Sequence, residues 1–395
     1  MKQILSLDVS QPDQVPMTAT FELRELCAQK LSTAVDRVGH LTAFVGLDGF
    51  VDEILHVVDK RMDARHYESV STIARLAERI AEAAGKSTNI ELVNQITKLG
   101  GNGPIMANAL AGFGLKVTYV GNLGYPHLHP VFHEFARRAE VYSIAEPGHT
   151  DALEFDDGKI MLGKHSSLKE VNWTNIQARF GRDKFATRFE GSDLIAFVNW
   201  TMIPYMSDVW EALQREFCPN LQGPRRKMFF DLADPEKRTT QDISRALELI
   251  VQFEKHFEVI LGLNEKEANE ISEVLGLKRK PHNAEALSSL ARELRAKLPV
   301  STLVIHPVSY ALAASGDSVD VVKGAYIFKP KITTGAGDHF NAGFCLGKLL
   351  GLDNAMSVLT GVAASGYYVR TATSPCIRQL ADFLRKWPGK GIRFP

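Results

Sequence analysis

The stretch of this chain best equipped for chemistry is Thr333-Thr334-Gly335-Ala336-Gly337-Asp338-His339-Phe340. Two glycines around a small residue let the backbone wrap closely about an anion, and the N–H groups of a helix opening there point at it. That describes a phosphate cradle. A carboxylate repels phosphate, so Asp338 belongs in such a cradle only as a base or as the holder of a cation. Cradle and base together point to phosphoryl transfer. A plain turn capping a helix uses the same residues, so the motif gains weight only from what accompanies it.

Other residues supply that company. The run from Leu41 to Leu55 starts as a short apolar strand and ends in acids at a glycine-containing bend. A carboxylate at the carboxyl end of a strand in an open sheet sits where ligands bind. Asp48 and Asp52 are therefore candidates to accept hydrogen bonds from hydroxyl groups, against the plainer role of turn and cap acids. In Gly100-Gly101-Asn102-Gly103, Gly101 lets a substrate approach the backbone and Asn102 offers both donor and acceptor. Asn264 and Glu267, just after the apolar run Val259–Leu263, have the spacing of a helix capping box. His306 ends another apolar run, either as a satisfied core histidine or as a site residue. His127, His129 and His133 read as an ordinary surface loop rather than a zinc site, having no acid or cysteine between them and prolines around them.

These side chains need a frame. Apolar runs at Leu41, Lys116, Leu194, Lys227, Val259 and Ser301 alternate with helical patterns, which is the signature of a parallel sheet covered by helices. Helices are expected over Phe21–Gly39, Arg61–Ala84, Pro104–Phe113, Asp208–Glu216 and Thr240–Phe257. The helix following Asp338 carries Phe340, Phe344, Gly347 and Gly351, small enough in part to lie against a sheet. Val141–Ala145 and Ala152–Gly163, the latter turning at Asp156-Asp157-Gly158, read as hairpin strands of a small projecting sheet.

The chain has 395 residues with 46 basic and 46 acidic side chains, so no net field attracts nucleic acid or an anionic membrane. Its four cysteines show no paired spacing and fit reduced thiols. Met1–Gln14 lacks the apolar core of a signal peptide and no stretch approaches a spanning helix, so a cytoplasmic protein is expected.

Thr334–Phe340 resembles the second signature of the ribokinase-like (PfkB) carbohydrate kinases, and Gly100-Gly101-Asn102-Gly103 to Gly124 resembles the first. The similarity runs in order from about Ala43 to about Thr373. It implies that Asp338 is the catalytic base, that the turn Gly335-Ala336-Gly337-Asp338 forms the anion hole, and that Asp52 matches the family's substrate aspartate. Asn264 and Glu267 match its Asn-x-x-Glu motif, which organises magnesium largely through water. Thr334, Gly335, Gly337, Asn264 and His306 fall on the nucleotide side. The chain also departs from the pattern. Ile105 stands where the family has an asparagine, with Asn108 one turn later as its substitute; Tyr125 and Pro126 replace an acid, and so does Ile332. His306-Pro307-Val308 replaces Thr-x-Gly, and with Gly46–Asp52 and Ile105–Asn108 is similar instead to the ADP-dependent sugar kinases of the superfamily. ATP is the favoured donor and ADP the alternative.

The expectation is a three-layer αβα domain around a mainly parallel sheet, with a small β-sheet lid. Residues 1–40 form a helical extension; 41–50, 101–140 and 176–395 the nucleotide-binding domain; 51–100 and 141–175 the lid. Its partners are a sugar and a nucleotide, with a homodimer through the lid as the family often forms. A nucleoside kinase and a non-catalytic sugar or nucleotide sensor are the rivals on the same fold. A dinucleotide oxidoreductase is disfavoured, because no Gly-x-Gly-x-x-Gly opens a helix after the first strand.

Overall fold

The computed structural model describes residues 19–387. The expected first element therefore begins inside it, and Met1–Gln14 lies outside the described residues. Alternation along the strands decides the architecture. Phe44, Ile195, Phe197, Phe230 and Leu261 face one apolar cluster, while their neighbours Val45, Ala196, Phe229 and Ile260 face another. Strands buried on both faces must be covered by helices on both sides, which gives three layers. The sheet has nine strands. Thr42–Leu47 pairs in parallel with Lys116–Gly121 and with Leu194–Val198. From there the parallel order runs through Arg226–Asp231 and Phe257–Leu263 to Thr302–Ile305, and an antiparallel hairpin, Tyr310–Ser315 with Ser318–Lys323, closes that edge. Among the described residues no helix is long and apolar enough to cross a membrane.

A second, five-stranded sheet stands off the carboxyl ends of the first. Its long strand, Phe50–Arg61, follows Thr42–Leu47 almost without interruption. It pairs with Leu92–Gly100, with Tyr67–Ser69 and with Gly148–Phe155, which forms a hairpin with Gly158–Lys164. One face is covered by the helix Ile73–Glu82 through Leu76, against Leu55, Val57 and Leu153.

Four sequence expectations change. Glu140–Ser143 joins the large sheet in parallel with Lys116–Gly121 instead of the projecting one, because Tyr142 packs on Phe180 in the large core, at 4.7 Å between ring centroids. Leu168 and Val171 are buried in that core too. The helix expected over Arg61–Ala84 shrinks to Ile73–Glu82, since Arg61 still belongs to the long strand. The helix expected to Phe257 stops at Phe253, where the next strand needs Phe257. Finally, the small residues after Asp338 serve a helix and not the sheet. A β-carbon on Gly343 would come within 2.7 Å of the Thr360 carbonyl, and one on Gly347 within 2.7 Å of the Ser357 α-carbon, both on the helix Asn354–Thr371. Gly351 lies beyond the helix end. The N-terminal extension forms the helices Phe21–Thr33 and Val35–Val38, and buries Cys27, Ala28, Leu31 and Val38 in the main core.

Candidate active site

At the carboxyl end of almost every parallel strand the chain turns polar: Asp48, Asn122, Asn199, Asp231, Asn264 and His306. Between this rim and the smaller sheet lies a cleft of about 880 Å³, lined among others by Asp52, Asn102, Asp231, Glu267, Thr334 and Asp338. Open parallel sheets bind ligands at this end.

The glycine turn sits on the floor of the cleft. Gly335 has φ +91° and caps the helix Ala336–Leu349, a left-handed conformation that favours glycine. The Ala336 N–H donates to the Thr333 carbonyl at 3.1 Å, so it closes the turn and is withdrawn from the expected anion hole. Gly337 and Asp338 supply the remaining first-turn N–H groups. Two side chains brace the turn from behind. Tyr368 donates its hydroxyl to the Thr334 carbonyl at 3.1 Å, and His339 reaches the Gly335 carbonyl through Nδ1 at 2.7 Å. Their rings stack at 3.7 Å. Burial pushes His339 down to about 4, so the imidazole is neutral; Nδ1 donates and Nε2 accepts from Ser374 at 2.8 Å.

Asp338 is 6% exposed and accepts one hydrogen bond from a side chain, Asn102 Nδ2 at 3.0 Å. Burial pushes its carboxyl up to about 8, with the nearby carboxylates of Asp48 and Glu267 adding to the rise. Asp231 is raised to about 7 by burial and then by Asp338, while the Asn341 amide, at 2.7 Å, and the Ala233 N–H hold its two oxygens. Glu267 rises to about 8 through burial and then Asp231. Its two oxygens accept from the backbone of Asn264 at 2.8 Å and of Asp234 at 3.0 Å, and the Asn264 side chain accepts from Glu267 N at 2.9 Å. The capping box is thus real. Among the described residues no three acids, histidines or cysteines stand close enough to hold a metal ion by themselves. The donors fit magnesium in another way: hard carboxylate and amide oxygens, each with a lone pair left beyond its hydrogen bond, suit an ion that keeps much of its water.

On the opposite wall Asp52, raised by burial and partly compensated by Lys98 and Thr150, faces the cleft with its carboxylate against Gly100. Gly101, at φ +95°, opens the helix Asn102–Phe113. Two expected substrate residues are elsewhere. Asp48 is fully buried, its carboxylate accepting from Gly103 N at 2.9 Å, Asn199 Nδ2 at 2.7 Å and Tyr119 OH at 3.3 Å, and it does not line the cleft. Asn108 points behind the helix, donating to Ser374 and accepting from Arg138. It lies a full turn too far from the cleft.

A second cavity of about 400 Å³ adjoins the first and shares Asn264, His306 and Gly337 with it. Its walls are apolar and aromatic, including Tyr310, Tyr326, Phe340 and Val362. His306 packs on Phe340 at 4.8 Å between centroids, and burial lowers it to about 4, so it is a neutral wall between the two cavities.

Comparison with known proteins agrees with this arrangement. The profile of the prokaryotic ketohexokinase family matches residues 18–387. The chain belongs to that family. A ketohexokinase from Haloferax volcanii is 29% identical over 372 residues, 94% of this chain and 97% of that protein. Among solved structures, an Arabidopsis thaliana ribokinase complexed with ribose and ATP superposes with a TM-score of 0.61 at 14% identity, over 88% of this chain and 98% of that one. Phosphofructokinase-2 from Escherichia coli gives 0.58 at 14%, over 88% and 99%. These two share the ribokinase fold with it. The protein is a sugar kinase, and its co-substrate is a nucleotide.

Several residues of this ketohexokinase-family cleft escaped the sequence reading. Asp231 carried a legible signal, standing at a strand's carboxyl end as Asp48 does. Asn199, held at φ +60°, follows a strand in the same way. Phe50 and His165, packed edge to face at 5.4 Å on the smaller sheet, and the brace Tyr368 carried none, because only the folded chain brings them to the site.

Proposed function

We propose that this protein transfers the terminal phosphoryl group of ATP to a hydroxyl of a ketohexose, with Asp338 as general base. The single observation that supports this most is the placement of one buried carboxylate at the mouth of the glycine turn, where a roomy polar cleft meets a narrower aromatic one. The polar cleft takes the sugar, oriented by Asp52, Asn102 and the backbone at Gly101. The aromatic cavity takes the adenine, past His306 and Thr334, as the ATP of the Arabidopsis ribokinase complex suggests. Asp338 accepts the proton of the attacking hydroxyl, while the N–H groups of Gly337 and Asp338, at the positive end of a helix, stabilise charge on the transferred group. Magnesium at Asn264 and Glu267, joined by Asp231, would neutralise the nucleotide phosphates. The five-stranded sheet serves as a lid that keeps water from competing as acceptor. Its exposed Ile96 and Leu162 suit pairing between two copies, and the protein works in the cytoplasm.

ADP as donor is the second reading, favoured by His306-Pro307 at the junction of the cavities. The test is product formation from ketohexoses, aldohexoses, pentoses and nucleosides, with ATP and ADP as separate donors. Ketohexose phosphate formed with ATP is expected. Turnover of nucleosides alone overturns the acceptor, and turnover with ADP alone overturns the donor.

A further inference from the structure

Lys159 sits in the smaller sheet, at the start of the strand Gly158–Lys164, yet its Nζ reaches Thr334 Oγ1 at 3.4 Å, 175 residues along the chain. Thr334 is the residue before Gly335, and Tyr368 pins its carbonyl. Residues Lys159, Met161 and Gly163 alternate onto one face of their strand, and Met161 and Gly163 line the cleft. The ammonium therefore stands at the lip of the glycine turn. Among the described residues no carboxylate lies within ion-pair distance of it.

Two other lysines near the cleft are engaged in ion pairs. Lys237 pairs with Asp234 at 3.0 Å, and Lys266 is shared among Asp234, Glu236 and Glu270. Lys98 is half-buried opposite Asp52 in the strand register. The cleft otherwise presents Asp52, Asp231, Asp234, Glu267 and Asp338, a poor setting for a polyphosphate.

We propose that Lys159 is a further catalytic residue, a cation that the lid delivers to the terminal phosphate of the nucleotide. This rests on the kinase reading above. With the nucleotide bound, the ammonium exchanges its weak bond to the Thr334 hydroxyl for charge-assisted bonds to phosphate oxygens, in a site where a mobile cation replaces water. One contact then couples lid position to phosphoryl transfer.

The experiment compares the full chain with K159M, which keeps the stem and loses the charge, and with K159R, which keeps the charge. In steady-state kinetics with the best sugar from the panel, K159M is expected to lose about a hundredfold in kcat with the sugar KM changed less than threefold, and K159R to recover most of it. Calorimetric titration with ATP and with adenosine reads the same contact without any sugar. K159M should weaken ATP about tenfold and leave adenosine unchanged, with an unaltered melting temperature. Wild-type ATP affinity in K159M overturns the proposal, as does kcat within threefold of wild type or equal losses in K159M and K159R. A wild-type chain that phosphorylates nothing in the panel overturns the kinase reading instead, and the ATP titration still decides about Lys159.

Discussion

Two buried aspartates sit within one field of charge and do different work. Asp48, under the end of the first strand, is closed off from the cleft and raised only to about 6, since Asn199, Gly103 and Tyr119 satisfy its oxygens. Asp338, at the start of its helix, rises to about 8 with a single side-chain donor and an open side. Burial pushes both upward. The number of donors around each one separates a carboxylate that holds the fold from one with basicity left for substrate.

The largest break in this comparison is D338N. The amide keeps the shape and cannot accept a proton, so turnover should fall at least a thousandfold. Thermal stabilisation by added nucleotide should stay within a few degrees of wild type. A variant that retains its rate removes Asp338 from the mechanism. D48A acts on the other member. It strands a backbone N–H and an amide in a dry site, at a cost of about 3 kcal/mol, read as a lower denaturant midpoint. The folded fraction should keep its sugar KM. D52N lies between the two, because Asp52 is buried yet faces the cleft: the KM for sugar should rise roughly tenfold, or about 1.4 kcal/mol, with nucleotide affinity unchanged.

The crowding of Asp231, Glu267 and Asp338 gives a pH signature. In the unfolded chain these groups titrate near 4, whereas in the fold they titrate at about 7, 8 and 8. Above pH 4 the folded state therefore holds protons that the unfolded state has lost, and stability must decline as pH rises until the folded groups have ionised near 8. Melting curves of the ligand-free protein should show that decline. D231N removes one acid and its repulsion of the other two, so its profile should be flatter and lie higher above pH 7. A wild-type melting temperature that climbs between pH 5 and 8 contradicts the crowding.

Much of the frame was legible in the chain. Val259–Leu263 followed by Asn264 and Glu267 carries a local signal, apolar alternation and then a reciprocal cap, and folds accordingly. Asp338 was legible because a glycine turn before a helix is a local device as well. What failed depended on distant partners. Nothing near Asp48 says that Tyr119 and Asn199 will cover it, and nothing near Val141 says that Phe180 will draw its strand into the large sheet. The spacing around Gly343 and Gly347 shows that something packs closely there without saying whether it is a strand or the helix bearing Ser357 and Thr360.

Asn108 offers the smallest and sharpest test of the comparison, because the sequence places it with the sugar and the structure places it behind the helix. Its amide donates to Ser374 at 3.4 Å, and Ser374 in turn donates to His339, the brace of the Gly335 carbonyl. N108A removes a long hydrogen bond and an exposed contact with Arg138, while alanine favours the middle of a helix. These effects oppose each other and should leave stability within about 0.5 kcal/mol. Ser374 keeps its proton for His339 Nε2, so the turn stays braced and kcat unchanged. The sugar KM should match wild type; a tenfold rise would mean that Asn108 reaches the cleft when sugar binds, and that the asparagine displaced by Ile105 has been replaced one turn later after all.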